Sequence, residues 1–363
     1  MSASIPIAEL LEKTDRGDPL LLFDVRNDEE FERWRVEGRR PVNTFHRPYF
    51  DYIEDESLLD QVPRDAGEIF VLCAKGDSSD LIADMLHERG TAARNVAGGM
   101  IAYGESLLPV RVPLDPGESS RFEIWQMNRR GKGCLSYVIR SGEDAVVIDP
   151  SRNIGEYERF VEKLGARIIG VFDTHVHADH ISGGPMLAPR HNARYSVAGN
   201  NGEEILGLRI LKTPGHTPDS TSFLIGKNHL LTGDTIFVAS VGRPDLGGQV
   251  VEWGKMLFHT LNERIAALPD DVVILPAHYA SANEIGADGV VSGRLGTLRQ
   301  TVPELQIRSE SEFVDVMKAA LKSHPDVYDK IIGVNLGLQT VDEQTAGEWE
   351  LGKNECAAHG GSR

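Results

Sequence analysis

The most informative segment of the chain is Thr174-His175-Val176-His177-Ala178-Asp179-His180, which follows the apolar run 168–172. It places three imidazoles and one carboxylate, all good metal donors, on one short loop. Further donors stand at or just after other apolar, strand-like runs: His216, Asp234 and His278. Because loops at one edge of a layered α/β sheet gather binding groups, we expect these donors to share one cleft.

The donor types indicate the kind of metal site. Neutral imidazole and carboxylate suit Zn, Fe or Mn, whereas a closed structural zinc site favours thiolates. Thiols are scarce, with only three cysteines in 363 residues. The sequence therefore predicts an open, catalytic metal site.

This pattern resembles the metallo-β-lactamase superfamily, which carries a His-x-His-x-Asp-His loop followed by single His, Asp and His residues. The resemblance spans residues 122–357 and implies an αββα sandwich with the metal site at the mouth between its sheets. The matching positions are His175, His177, Asp179, His180, His216, Asp234 and His278.

Two branches of that superfamily keep all of these donors. The segment Gly242-Arg243-Pro244-Asp245-Leu246 resembles the bacterial persulfide dioxygenases, and the tail 350–357 resembles the C-terminus of some of their relatives. Hydroxyacylglutathione-type thioester hydrolases, which use zinc or mixed metals in a dinuclear site, more often carry an aromatic residue and a Glu after the position of Asp234. The neighbours of the donors favour the dioxygenase, and the hydrolase stays open as an alternative.

The dioxygenase resemblance implies one Fe(II) per chain, held by His175, His216 and Asp234, with Zn as the alternative metal. Two imidazoles and one carboxylate leave positions for the persulfide sulfur, O2 and water. The remaining donors would orient these ligands or hold a second metal: His177, Asp179, His180 and His278. Arg243 would lie near the anionic persulfide or its carrier, and Asp245 would hold Arg243 in place.

A second candidate site lies near the start of the chain. The runs 20–26 and 69–73 read as buried strands, so Cys73 stands at a strand end before a Gly-containing loop and a helical pattern. A thiol there meets backbone N–H groups and the positive end of the helix dipole, which favour a thiolate or a persulfide anion. The pattern predicts sulfur transfer.

Residues 5–104 resemble a rhodanese domain through Asp24-Val25-Arg26, the Cys73 loop and the segment 95–100. Active rhodanese loops commonly carry an Arg near the position of Ser78, whereas here Lys75 is the only cation in the loop and Asp77 adds a negative charge. Two interpretations therefore stay open. The domain is a working sulfurtransferase, or it is an inert docking or regulatory module.

The chain therefore has the predicted fold class of an α/β protein with two domains: a rhodanese-like α/β domain over 1–106, a linker over 107–121 and a metallo-β-lactamase-like sandwich over 122–363. The linker is expected to break helix and sheet because it is rich in Pro, Gly and Ser. Strands are expected around 122–126, 134–139 and 145–148. Amphipathic helix is expected around 312–321, in a helical tail that covers the cleft.

Charge and composition exclude other classes of protein. A net charge of −17 opposes binding to nucleic acid, whose phosphates need a basic surface. No basic region with an apolar core opens the chain, so we expect no secretory signal, and no apolar run approaches the roughly 18 residues of a membrane span. The odd cysteine count does not suggest a disulfide scaffold, which fits a reducing cytoplasm.

The two resemblances together imply a fusion enzyme that oxidises a low-molecular-weight thiol persulfide, such as glutathione persulfide, with O2 and water to sulfite and thiol. The rhodanese-like domain would supply that persulfide or convert sulfite to thiosulfate. The rival functions are a dinuclear thioester hydrolase and a sulfur-responsive binding module in which neither site turns over. A homodimer is compatible with the sequence.

Overall fold

The computed structural model describes residues 3–320 and 325–357. The chain divides into two compact units. The first is formed by the residues up to Leu108 together with Arg129–Lys132 and Leu351–Lys353, and the second by Pro109–Asn128, Gly133–Glu350 and the residues from Asn354 onward.

The first unit is built on a parallel sheet in the order β1-β5-β4-β2-β3. Its strands are β1 (Ser4–Ile5), β2 (Leu20–Asp24), β3 (Thr44–His46), β4 (Glu68–Leu72) and β5 (Ala93–Val96). Its helices are α1 (Ile7–Arg16), α2 (Asp28–Arg33), α3 (Tyr49–Glu54), α4 (Asp77–Glu88) and α5 (Gly99–Glu105). A 3-10 helix over Glu56–Gln61 follows α3.

Helices cover both faces of this sheet, so its central strands are buried on both sides. Along β2 the side chains alternate: Leu20 and Leu22 pack in the core that contains α1 and α5, while Leu21 and Phe23 pack in the core that contains α3 and α4. The predicted buried strands over 20–26 and 69–73 are thus present as β2 and β4, and Cys73 follows β4 directly.

The second unit contains two sheets of six strands each, in the orders β11-β10-β9-β8-β7-β6 and β12-β13-β14-β15-β16-β17. The first comprises β6 (Leu108–Arg111), β7 (Glu123–Arg129), β8 (Cys134–Ser141), β9 (Asp144–Ile148), β10 (Arg167–Asp173) and β11 (Arg194–Val197). The second comprises β12 (Glu204–Ile205), β13 (Leu208–Lys212), β14 (Thr221–Ile225), β15 (His229–Gly233), β16 (Val273–Pro276) and β17 (Gly293–Arg294).

Helices pack against the sheets of the second unit or over the loops at their edges. They are α6 (Pro116–Ser119), α7 (Ile154–Lys163), α8 (Gly184–Arg190), α9 (Val250–His259), α10 (Leu295–Thr301), α11 (Glu310–Ala319), α12 (Val327–Asn335) and α13 (Glu343–Trp349). A π-helical turn over Thr260–Ile265 continues α9, and 3-10 turns occupy Ala282–Glu284 and Pro303–Gln306.

One hydrophobic core joins the inner faces of the two sheets, with side chains such as Ile139 and Phe172 from one sheet and Ile210 and Phe223 from the other. The outer face of the second sheet packs against α9, α10 and α11, and the first sheet contacts α7 and α8 through β10. The layers are therefore helix, sheet, sheet and helix, which confirms the predicted αββα sandwich.

Part of the predicted linker joins this sandwich. Residues 108–111 form β6 at the edge of the first sheet, where Pro109 removes no interior ladder hydrogen bond. The Val112 N–H donates to the carbonyl of Ile124 at 2.9 Å. Proline is tolerated at a sheet edge and in the first turn of a helix. The expectation that the segment breaks helix and sheet is therefore wrong at β6 and at residues 116–119, which form a short helix.

Two helices of the helical tail pack in different places. Helix α11 corresponds to the amphipathic run predicted around 312–321, whose last residue lies outside the described residues, and it packs in the core beside α9. Helix α12 covers the loop of clustered histidines, since Tyr328 packs against Ala178 and Ile331 packs against Ile181. Among the described residues, no helix is both long enough and apolar enough to cross a bilayer.

Candidate metal centre and thiol loop

Four strand ends bring the predicted donors together in the second unit. The loop 174–180 follows β10, His216 follows β13, Asp234 follows β15 and His278 follows β16. The Oδ2 atom of Asp234 lies 3.7 Å from Nε2 of His175 and 3.5 Å from Nε2 of His216. The predicted convergence on one place is therefore present in the structure.

We call His175, His216 and Asp234 the first donor set. One donor atom from each lies within 4.8 Å of the others, and each residue is 1% exposed. The buried Oδ2 of Asp234 has no hydrogen-bond partner among the described residues. A bare carboxylate oxygen in a buried site is costly, so this atom needs a cation, and the two imidazoles beside it complete a set that suits iron or zinc.

Hydrogen bonds to groups outside the first donor set fix the orientation of its two imidazoles and the nitrogen that carries the proton. Nδ1 of His216 lies 2.8 Å from the backbone carbonyl of Arg243, which can only accept, so Nδ1 carries the proton. Nδ1 of His175 lies 2.8 Å from the Thr174 hydroxyl, which donates to Asp149 and so accepts from the ring. In both rings the lone pair is left on Nε2, the atom that faces Asp234.

The second donor set comprises Asp179, His180 and His278, with the thiol of Cys134 beside them. Its members are hydrogen-bonded to one another. Nε2 of His278 lies 3.1 Å from Oδ2 of Asp179, Nδ1 of His180 lies 3.1 Å from Oδ1 of Asp179, and the Cys134 thiol donates to Asp179 at 3.1 Å. His278 also connects the two sets, because its Nδ1 lies 2.6 Å from Oδ1 of Asp234.

His177 lies between the two sets, with ring centroids 4.4 Å from His175 and 4.3 Å from His180. Its Nε2 lies 3.0 Å from Oδ1 of Asp149, and its buried Nδ1 has no hydrogen-bond partner among the described residues. Since a carboxylate keeps the proton on Nε2, Nδ1 offers a further lone pair to a metal.

Burial and neighbouring charges give the imidazoles of the two donor sets different protonation states. Burial, reinforced by His177, holds the pKa of His175 well below its ordinary value, and burial also lowers the pKa of His216. Burial alone would raise the pKa of Asp234, but His278 lowers it. The first donor set therefore presents neutral rings and an ionised carboxylate, the forms that bind a metal.

His278 behaves in the opposite way. Burial would lower its pKa, but the carboxylates of Asp234 and Asp179 raise it well above the ordinary value. Burial likewise opposes protonation of His180, and Asp179 raises the pKa of His180 to about 10. Without a metal, these imidazoles carry the positive charge that offsets the buried carboxylates.

Two glycines allow the loops to approach. Gly215 has φ +150°, and a Cβ there would lie 2.3 Å from Cα of Leu257 in α9. Gly233 has φ +52°, and its Cβ would meet the Thr174 hydroxyl at 2.6 Å. A side chain at either position would push His216 or Asp234 away from the cluster.

Arg243 is buried and forms a two-pronged ion pair with Asp245, with Nε to Oδ1 and Nη2 to Oδ2 both at 2.7 Å. Its backbone N–H donates to the carbonyl of Cys356 at 3.1 Å, and its own carbonyl accepts from His216. The segment predicted to contact substrate thus also orients a member of the first donor set.

Sequence reasoning missed several residues that position the cluster. The carboxylate of Asp149 accepts from the Thr174 N–H at 2.7 Å, and the side-chain amide of Asn335 donates to the carbonyls of His177 and His180 at 2.8 and 2.9 Å. Asp149 directly follows β9, so the rule that found Asp234 could have found it. Asn335 lies at the end of α12, and no local pattern points to it.

The thiol loop, residues 73–79, runs from the end of β4 into the first turn of α4 in the first unit. The Gly76 N–H donates to Sγ of Cys73 at 3.0 Å, and Oγ of Ser79 lies 3.1 Å from the same sulfur. Oγ of Ser79 is also 2.7 Å from Oδ1 of Asn95. Cys73, 5% exposed, therefore has one backbone N–H and one hydroxyl beside it, fewer amides than the loop sequence suggested.

Comparisons with known proteins identify both units. The rhodanese-like domain family matches residues 7–106, and the metallo-β-lactamase superfamily matches residues 129–199. The mitochondrial persulfide dioxygenase ETHE1 of Bos taurus is 29% identical over 220 residues, which cover 55% of this chain and 82% of that protein. A hydroxyacylglutathione hydrolase of Actinobacillus pleuropneumoniae is 26% identical over 207 residues, which cover 52% and 85%.

A solved structure agrees with these matches. A metallo-β-lactamase from Staphylococcus aureus is 30% identical, with a TM-score of 0.55, and the match covers 59% of this chain and 72% of that one. Both resemblances inferred from the sequence are thereby confirmed.

Proposed function

Because the chain belongs to the metallo-β-lactamase superfamily and carries a rhodanese-like domain before it, we propose that it is a persulfide dioxygenase coupled to a sulfurtransferase. Its reaction is R–S–SH + O2 + H2O → R–SH + sulfite + 2 H⁺, where R–SH is a low-molecular-weight thiol such as glutathione. The similarity to persulfide dioxygenases supports the reaction class.

The observation that carries the proposal is the contrast between the two donor sets. The first set leaves Oδ2 of Asp234 without a partner and turns the lone pairs of His175 and His216 toward it. The members of the second set, in contrast, are satisfied by hydrogen bonds to each other. This supports one metal per chain, held by two imidazoles and one carboxylate.

Iron bound there would bring the persulfide sulfur and O2 together and exchange electrons with both, which redox-inert zinc does not do. The chain's own residues prepare the site. Thr174 and the Arg243 carbonyl keep the Nε2 lone pairs available, and His278 orients Asp234 through its Oδ1. The predicted contact between Arg243 and the anionic substrate stays part of the proposal, with Asp245 holding the guanidinium.

The rhodanese-like domain would transfer sulfane sulfur through Cys73. The Gly76 N–H and the Ser79 hydroxyl would stabilise charge on the thiolate or on its persulfide. The two activities suit each other because both handle a persulfide, which is an unstable species. A cytoplasmic location and a homodimer stay predictions from the sequence.

A dinuclear thioester hydrolase is the second candidate. The similarity to hydroxyacylglutathione hydrolases favours it, as does the second donor set, whose side chains could hold another metal if His278 and His180 lost their protons. Hydrolysis of a thioester consumes water and no O2, so the products separate the two functions.

The test measures O2 uptake and sulfite from glutathione persulfide, and hydrolysis of S-lactoylglutathione, on the same protein preparation. We expect one sulfite per O2, counted as free sulfite plus thiosulfate, and no comparable thioester hydrolysis. Rapid thioester hydrolysis without O2 uptake would replace the dioxygenase by the hydrolase.

A further inference from the structure

Asn95 is a buried polar residue on β5 of the first unit, at 8% exposure. It pairs with Val71 of the neighbouring parallel strand β4. Because side chains alternate along a strand, Asn95 faces the same side of the sheet as Ala93. Ala93 packs in the core that contains Val71, Cys73 and the buried side chains of α4. The amide of Asn95 is therefore directed toward the helix that follows the thiol.

This amide meets the hydroxyl of Ser79 in the first turn of α4. Oγ of Ser79 lies 2.7 Å from Oδ1 of Asn95, and 3.1 Å both from Sγ of Cys73 and from the carbonyl of Gly76. The side chain of Ser79 is fully buried. A hydroxyl has one proton to donate, so these three acceptors compete for it.

The distances and the acceptor types indicate where that proton lies. An O–H···O separation of 2.7 Å is the preferred length, and an amide oxygen accepts more strongly than a thiol sulfur. The carbonyl of Gly76 already accepts the Asp80 N–H at 3.1 Å. While Cys73 is a thiol, the hydroxyl of Ser79 therefore donates to Asn95 and turns its lone pairs toward the sulfur.

A sulfur anion needs the opposite orientation of this hydroxyl. A thiolate or a persulfide anion accepts hydrogen bonds, and bonds to a charged acceptor are the stronger ones. The Gly76 N–H donates to the sulfur from a fixed backbone position at 3.0 Å. The hydroxyl of Ser79, in contrast, rotates about one bond, so it can serve either Asn95 or the sulfur.

We infer that Asn95 is a positioning residue of the sulfur-transfer site, which holds the Ser79 hydroxyl away from the thiol and releases it when the sulfur becomes an anion. Asn95 acts through Ser79 and restrains the nucleophile in its resting state. The inference rests on the proposed function and adds a means by which the protein regulates the reactivity of Cys73.

The test measures how fast iodoacetamide, which reacts with the thiolate, alkylates Cys73 in the full-length protein at one fixed pH. Mass spectrometry of the peptide that contains Cys73 gives the rate. We expect Asn95→Ala to raise this rate about fivefold, because the hydroxyl is then free to donate to the anion. Asn95→Leu, which removes the amide and keeps most of the volume, should raise it equally. The matched control is Asn43→Ala, at an exposed position before the edge strand β3, and it should leave the rate unchanged.

A double-mutant cycle separates positioning of the hydroxyl from a change in access to the thiol. Ser79→Ala alone should slow alkylation about threefold, because the anion loses a donor. Adding Asn95→Ala to Ser79→Ala should change nothing further, since the hydroxyl through which the amide acts is gone. A variant that merely opened the loop to the reagent would react faster in both backgrounds. Equal effects of Asn95→Ala with and without Ser79, or an unchanged or lower rate in both Asn95 variants, would overturn the inference.

Loading of Cys73 from glutathione persulfide, followed without O2, gives a second readout. The thiolate of Cys73 attacks the outer sulfur of R–S–SH, the S–S bond of that molecule breaks, R–S⁻ leaves, and Cys73 becomes a persulfide. Asn95→Ala should be loaded faster than the wild type and Ser79→Ala more slowly. If the wild type gains no sulfur atom, the proposed sulfur transfer fails, and the alkylation rates still decide this inference.

Discussion

In the first donor set, His216 and Asp234 are oriented by groups from distant parts of the chain, whereas the sulfur of Cys73 is held by groups within six residues of it. His216 is fixed by a carbonyl 27 residues away, and Asp234 by a ring 44 residues away. The sulfur of Cys73 contacts Gly76 and Ser79, three and six residues on.

The difference reflects two kinds of chemistry. A metal site needs several donors in one fixed geometry, so it depends on the whole sandwich to hold four strand ends together. A sulfur-transfer site needs one nucleophile and room for its partner, and a single strand-to-helix loop can provide both. Variants should therefore separate the two activities cleanly.

The largest effect is expected at the metal centre. Asp234→Ala removes the only carboxylate of the first donor set, so most of the bound iron and nearly all O2 uptake should be lost. Iron content per chain and O2 uptake with glutathione persulfide measure this. Asp144→Ala, which breaks a surface pair with Arg167 at 2.7 Å, is the control and should keep both. Full iron and activity in Asp234→Ala would show that the ligand assignment is wrong.

A change in the thiol loop should remove sulfur transfer and leave O2 uptake intact. Cys73→Ser should abolish sulfur transfer, because a hydroxyl oxygen cannot carry a sulfane sulfur, yet O2 uptake on free persulfide should persist. If the wild type makes thiosulfate from sulfite, the variant should accumulate sulfite. Sulfite and thiosulfate are measured side by side. Identical product ratios would make the first domain a docking module.

His278 tests whether the second donor set holds a metal. His278→Ala should retain the iron but lower catalytic efficiency by about 10- to 100-fold, because Asp234 loses the ring that orients it. Metal analysis and kcat/KM report the two effects. His191→Ala, at an exposed ring paired with Glu158, should be neutral. Loss of one of two bound metals in His278→Ala would instead indicate the dinuclear hydrolase.

A smaller effect is expected at Arg243. Arg243→Ala should leave iron bound while catalytic efficiency falls about tenfold or more, on the scale of a charge-assisted contact of about 1.5 to 3 kcal/mol. Arg243→Lys keeps the charge but loses the two-pronged contact with Asp245, so it should recover only part of the activity. Unchanged efficiency in the alanine variant would restrict Arg243 to a structural role.

The convergence of the donor side chains could be predicted from the sequence because each donor follows an apolar run, and strand ends meet at one edge of a sandwich. The hydrogen bonds from Asn335 to the histidine loop could not be predicted, because α12 reaches that loop through tertiary packing and no local sequence pattern indicates it. The segment around Pro109 was misjudged because an edge strand accepts proline, and sequence alone does not reveal which strand lies at an edge.

The elements around Cys73 in the first domain could also be predicted from apolar runs. The strand before Cys73 and the helix after it were readable from their apolar patterns. The absence of an Arg from the loop was also readable from the sequence.

The central claim is that one iron at the first donor set carries out the oxidation. Metal-free protein is titrated with Fe(II) under anaerobic conditions, and each sample is assayed for initial O2 uptake with glutathione persulfide. The account predicts a linear rise that ends at one equivalent of iron per chain and no O2 uptake with Zn(II). A break at two equivalents, or zinc-loaded protein that rapidly hydrolyses S-lactoylglutathione, would contradict it.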